Sequence, residues 1–126
     1  MRGRDFLEIV RRYRHETSEP FLRDRIGRAY YAAYLEARTF CETQLGYTRT
    51  KSSREHQEVA RLIEGQSQRV ADRLAFLRSM RNTADYELNI SLTTLTADAE
   101  DAAAYADEII AQLDAFSLAM DPSEPE

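Results

Sequence analysis

Arg81, in the stretch FLRSMRNTADYEL, is followed one helical turn later by Asp85. Such a guanidinium has two uses. It can close an ion pair that pins the end of its own helix, bonding free carbonyls near DYEL. Or, oriented by Asp85 and by the adjacent Asn82, it can stabilise phosphate charge, a task its planar fork of donors suits. Val70, Leu74, Leu77, Ala84 and Leu88 set Arg81 within an apolar helical arc, where an unpaired guanidinium is costly. The Arg-before-Asp order is the weaker orientation for an i,i+4 pair. Both readings stay open on the residues alone.

Other groups with chemistry are few. His56, in SSREHQEV, falls in the first turn of a helix, where the dipole favours its neutral form, and reads as a solvated helix-start residue. His15, in RRYRHE, falls at a helix end. Arg49, Lys51 and Arg54 surround Ser52 and Ser53. They form either a solvated loop or a phosphate contact supplemented by free N–H groups of the helix that follows. Cys41 is the single cysteine, so no intrachain disulfide can form and a reducing, cytoplasmic setting is expected. No His/Cys/Asp/Glu spacing suggests a metal site, and there is neither a phosphate-binding glycine loop nor a G-x-S-x-G turn. No metal or cofactor is expected.

The elements that must position these groups are helical. Four glycines and three prolines in 126 residues, with abundant Ala, Leu, Arg and Glu, favour an all-α domain over 1–120, followed by a disordered acidic tail, DPSEPE, over 121–126. The first helix is predicted from about Arg4 to Arg14, with Phe6, Ile9, Val10 and Tyr13 inward. Ser18 caps a second helix with Pro20 in its first turn, ending near Leu45 at Gly46. Ser52 and Glu55 form a capping-box pattern opening a third helix that Gly65 closes. The fourth starts after Ser67. Thr96 caps the fifth, striped by Ala99, Ala102, Ala106, Ile109, Leu113, Phe116 and Met120. The expected architecture is an antiparallel four- to five-helix bundle.

No apolar run approaches the roughly 20 residues of a membrane span, and the first residues carry no signal-peptide pattern. The net charge of −5 is unevenly distributed. Residues 1–61 hold 13 Lys/Arg against 9 Asp/Glu, and residues 62–126 hold 4 against 13. Either the halves neutralise each other within one bundle, or they present a basic face to RNA and an acidic face to a partner.

In RIGRAYYAAYLEAR, the meridian of Leu22, Ile26, Ala29, Ala33, Ala37 and Phe40 is the buried stripe, with Tyr30, Tyr34 and Cys41 on its shoulder. Tyr31 points away, beside Leu35 and Arg38. Two large side chains one turn apart on an outer face predict a protein–protein contact.

RAYYAAYLEAR, then SSREHQEV, then LRSMRNTADY and an acidic amphipathic last helix together resemble the HEPN superfamily. The likeness is to its small single-domain branch with R-x-Y-Y-A and R-x-x-A-D-Y signatures, and it spans roughly residues 20–115. The resemblance implies a helical bundle that forms a homodimer, through Tyr31, Leu35 and Arg38 on the reading above. Many members are metal-independent ribonucleases of toxin–antitoxin or defence systems. Others accompany a nucleotidyltransferase partner or have lost catalysis. Active members carry an Arg followed by a polar residue and, within two helical turns, a His. Here the Arg is Arg81 and the polar residue Asn82, but no His follows; Tyr86 stands at the first position where it would fall. Tyrosine titrates near 10 and histidine near 6.5, a difference worth about 5 kcal/mol against forming the base at neutrality. The resemblance also puts a His at a similar helix start, so His56 can stand in as the base across the fold. Three functions follow: a subunit that binds RNA or a nucleotide with a degenerate ribonuclease motif, an active ribonuclease using Arg81 with Tyr86 or His56, and a non-enzymatic helical adaptor for a partner protein.

Overall fold

The computed structural model describes residues 1–120, so the predicted acidic tail lies outside the described residues. Within them the chain is all-α: α1 Gly3–Arg12, α2 Glu19–Gln44, α3 Glu55–Gln66, α4 Gln68–Tyr86 and α5 Leu92–Met120. Among the described residues no helix is long and apolar enough to cross a membrane. α2 is the hub and packs against all four others.

The α2 stripe is buried as its spacing predicts: Leu22, Ile26, Ala29, Ala33, Ala37 and Phe40, with Tyr30, Tyr34 and Cys41 also inside. It meets Val59 and Ile63 of α3, Leu74 and Leu77 of α4, and Ala99, Ala102, Ala106, Ile109 and Leu113 of α5 in one core. Burying a Leu or Ile is worth about 2 kcal/mol, against about 0–1 kcal/mol for an exposed ion pair. The helices are therefore held by this core, and the charges refine their register.

Direction follows from the cross-helix pairs. Arg4 meets Asp114 and Arg11 meets Asp107, so α1 and α5 are antiparallel. Arg23 reaches Ala84 and Arg81 reaches Tyr31, so α2 and α4 are antiparallel too. Arg25 pairs with Glu100 and Phe40 with Phe116, so the two longest helices, α2 and α5, run parallel. The expected antiparallel arrangement thus omits one pairing. The Arg4–Asp114, Arg11–Asp107 and Arg25–Glu100 pairs also join the basic first half to the acidic second half.

Several boundaries differ from expectation. α1 buries Gly3, Leu7 and Val10, leaving Phe6 and Ile9 at the edge and Tyr13 exposed. The reason is Gly3: a Cβ there would lie 2.8 Å from the Ala32 carbonyl oxygen, so the glycine seats α1 on the α2 backbone and fixes its rotation. Gly46 does end α2, with φ +72°, and the Tyr47 N–H returns to the Cys41 carbonyl. Ser52 does not form a capping box. Its Oγ accepts the Arg54 N–H at 3.2 Å, and the Glu55 carboxylate is drawn to Tyr34 and Arg38 instead. Gly65 stays inside α3, and Ser67 caps α4 by accepting the Val70 N–H at 3.2 Å. α5 begins earlier than predicted: Ser91 Oγ accepts the Thr94 N–H, while Thr96 lies within the helix and donates to the Leu92 carbonyl. Leu88 falls beyond the end of α4 and is exposed, so it is not part of the arc containing Arg81.

Candidate functional site

Three helices bring the chemistry together. α2 presents Tyr30, Tyr31 and Tyr34, α3 presents Glu55 and His56 at its start, and α4 presents Arg78, Arg81 and Asp85. Pro20 and Ser18 start α2, and its alanine row lets neighbouring helices approach closely enough for these side chains to touch.

Arg81 is held from two sides. Its Nε lies 3.3 Å from Asp85 Oδ2, and its Nη2 donates to the Tyr31 hydroxyl at 3.1 Å. The guanidinium carbon sits 5.0 Å from the centre of the Tyr31 ring and 5.8 Å from that of Tyr30, within cation–π range. The Arg81 side chain is 25% exposed and that of Asp85 40%, so the pair is wet and its energy modest. Both border a cleft of ≈ 460 Å³ that also takes in Phe6, Arg23, Asp24, Gly27, Arg28 and Tyr31. Arg23 spans it, pairing with Glu19 and donating to the Ala84 carbonyl near the end of α4.

Behind Arg81 lies an aromatic stack. The His56 ring stacks nearly parallel on that of Tyr34, centroids 4.0 Å apart, and Tyr30 stacks beside both. The Tyr30 hydroxyl and His56 Nδ1 are 2.5 Å apart. Burial pushes the Tyr30 phenol up to about 12, although the charges of Arg78 and Arg81 pull the other way. His56 is pushed down, first by burial and then by those same two arginines. A phenol that keeps its proton beside a neutral imidazole donates to it. Nδ1 is then the acceptor, and Nε2 carries the ring proton. The Tyr34 hydroxyl donates to Glu55 Oε1 at 2.7 Å, and Arg38 donates to the same oxygen at 2.8 Å.

The predicted residues therefore fall into groups. Arg81 touches both Asp85 and Tyr31, and His56 joins them through Tyr30. Asn82 is exposed and Tyr86 is 77% exposed; neither bonds to the cluster. Arg49 is taken by Glu42 at 2.7 Å, while Lys51 and Arg54 are exposed in the loop before α3. The predicted outer face of Tyr31, Leu35 and Arg38 is not continuous. Leu35 packs under Gly3 of α1, Arg38 turns to Glu55, and Tyr31 bonds to Arg81. The reason is that α2 is covered on more sides than its wheel suggested. Cys41 is buried, its thiol pushed up to about 12 by burial, so it is unreactive. Among the described residues no three His, Cys, Asp or Glu side chains converge as a metal set.

Sequence reasoning missed Tyr30, Tyr34 and Arg78. The tyrosines read as core, which they are, and nothing local shows that their hydroxyls reach α3. Arg78 carries little signal of its own: it has no carboxylate three or four positions away in the sequence, but neither do Arg25 and Arg73. No family model, no curated protein and no solved structure matches the chain.

Proposed function

We propose that this protein is a HEPN-like subunit of a toxin–antitoxin or defence-type system that binds RNA or a nucleotide beside Arg81 and cleaves RNA poorly or not at all. The observation that carries the reading is the seat of Arg81. It is an arginine fixed by Asp85 and Tyr31, flanked by two aromatic faces, at the edge of a cleft that also holds Arg23 and Arg28. Guanidinium groups and aromatic faces in one groove suit phosphates and bases of a single strand. Cleavage through a ribose hydroxyl needs a base, and neither candidate is well placed for it. His56 has its free lone pair engaged by Tyr30, and Tyr86 stands out in solvent. The family resemblance adds a homodimer and a nucleotidyltransferase-type partner to this picture.

The test uses purified protein and labelled single-stranded RNA. Arg81→Ala should weaken binding about tenfold, the size expected for one charge-assisted contact. Cleavage near pH 7 should be slight in both forms, with or without a chelator. Robust cleavage by the wild type, unaffected by Arg81→Ala, would put the site elsewhere.

A further inference from the structure

Of the arginines of α2 and α4 around this site, Arg38 is matched by Glu55 of α3, and three more have their own counter-charge. Arg23 pairs with Glu19 at 2.9 Å, Arg28 with Asp24 at 2.7 Å and Arg81 with Asp85 at 3.3 Å. Each carboxylate is one turn away on the same helix. Arg78 has none. Its neighbours at three and four positions are Leu74, Ala75, Arg81 and Asn82. Among the described residues Arg78 makes no ion pair, and its Nε is buried without a hydrogen-bond partner. The Nε of Arg4, Arg25 and Arg38 is sealed and unmet in the same way, so what sets Arg78 apart is a full unit of charge with no counter-charge, which a bound anion would offset.

A second donor faces the same field. With Nδ1 accepting from Tyr30, the proton of neutral His56 is on Nε2, which has no partner among the described residues and is not among the atoms sealed from solvent. Arg78 precedes Arg81 by one turn of α4, and the Arg81 guanidinium carbon is 5.8 Å from the ring of Tyr30, which bonds to His56; the charges of both arginines push His56 down. The charged and titratable groups facing His56 are Tyr30, Tyr34 and Arg38 from α2, Glu55 from its own helix, and Arg78 and Arg81 from α4.

We propose that Arg78 and the His56 Nε2–H form an anion subsite that takes a phosphate group, next to the contact made by Arg81. The inference deepens the phosphate-binding reading and rests on it. In this arrangement Arg81, already engaged by Asp85 and Tyr31, orients the ligand, whereas Arg78 supplies the net charge. A bound phosphate offsets the two guanidinium charges at His56, so it must raise the proton affinity of the imidazole. By reciprocity, phosphate binds more tightly as the pH falls through the titration of His56.

The experiment titrates inorganic pyrophosphate, and separately single-stranded RNA, into the full chain while the His56 ring is followed by NMR. Pyrophosphate should shift the His56 resonances saturably and raise the pKa they report. Arg78→Gln should weaken pyrophosphate binding about tenfold, and Arg78→Lys should restore part of it, separating loss of charge from loss of fold. Arg81→Gln should weaken pyrophosphate binding less than Arg78→Gln does. An unchanged pyrophosphate affinity in Arg78→Gln, or no saturable shift at His56 at millimolar pyrophosphate, overturns the subsite. If RNA binds through Arg81 in that case, the broader reading stands alone. If pyrophosphate binds as described and RNA does not, the subsite stands and the RNA reading falls.

Discussion

The Tyr31 hydroxyl accepts a hydrogen bond from Arg81 at 3.1 Å across fifty positions of sequence, and it is the one polar contact that ties the middle of α2 to this arginine. Tyr31 is 37% exposed, so the same side chain serves the fold little and the cleft directly.

Tyr31→Phe keeps the ring under the guanidinium and removes the hydroxyl. Stability in urea should change by less than about 1 kcal/mol, because the lost bond is solvent-accessible. RNA affinity should fall by about three- to tenfold as Arg81 gains freedom. Unchanged affinity would mean that Asp85 alone positions the arginine.

Arg81→Met tests structure against function from the other side. Asp85, left behind, is well exposed, so no buried charge is stranded and the cost should stay under about 1 kcal/mol. A loss of several kcal/mol in a chemical melt would instead make Arg81 a structural pin.

Leu35→Glu separates a packed residue from an interface residue. Leu35 lies against the core and beneath Gly3, so the carboxylate should destabilise the monomer fold by about 2 kcal/mol or more. Gly3→Ala should act at the same contact, because its Cβ meets α2 backbone atoms within 2.9 Å and α1 must move away. Wild-type melting temperatures in both variants, with a change only in oligomeric state by light scattering, would return Leu35 to an outer face.

His56 gives stability a pH dependence. Burial and the two arginine charges disfavour its imidazolium, so below about pH 6.5 the unfolded chain takes up a proton that the folded chain resists. Its contribution is complete above that value and is lost as the pH falls. Urea midpoints measured between about pH 7 and pH 5 should drop more steeply in the wild type than in His56→Gln. Parallel slopes would show that His56 is as easily protonated in the fold as outside it.

The α2 core stripe was legible because alanines and large apolar residues recur there at helical spacing on one meridian, from Leu22 to Phe40. The rotation of α1 was not, since Phe6 and Leu7 are equally apolar and the choice is made by Gly3 against a backbone distant in sequence. Ser91 and Thr96 are comparable cap formers, and only the path of the preceding loop selects Ser91. At the site, the Arg81–Asp85 pair could be read from one turn of helix. The Tyr31–Arg81 and Tyr30–His56 contacts could not, because each depends on how two helices pack. Arg78 could not be singled out either: Arg73 equally lacks a carboxylate one turn away and yet meets Glu108 of α5, so a missing partner shows only once the helices pack.

The parallel run of α2 beside α5 has a consequence for the newly made chain. Simple up-and-down bundles close by pairing each helix with the one just synthesised. Here the longest groove of α2 waits for α5, which follows two intervening helices. On the ribosome, the Leu22–Phe40 stripe must stay partly uncovered until residues 92–120 have emerged. That delay lengthens the average loop to be closed and slows folding relative to a bundle of neighbouring pairs. It also leaves an apolar helix face open to chaperones during synthesis.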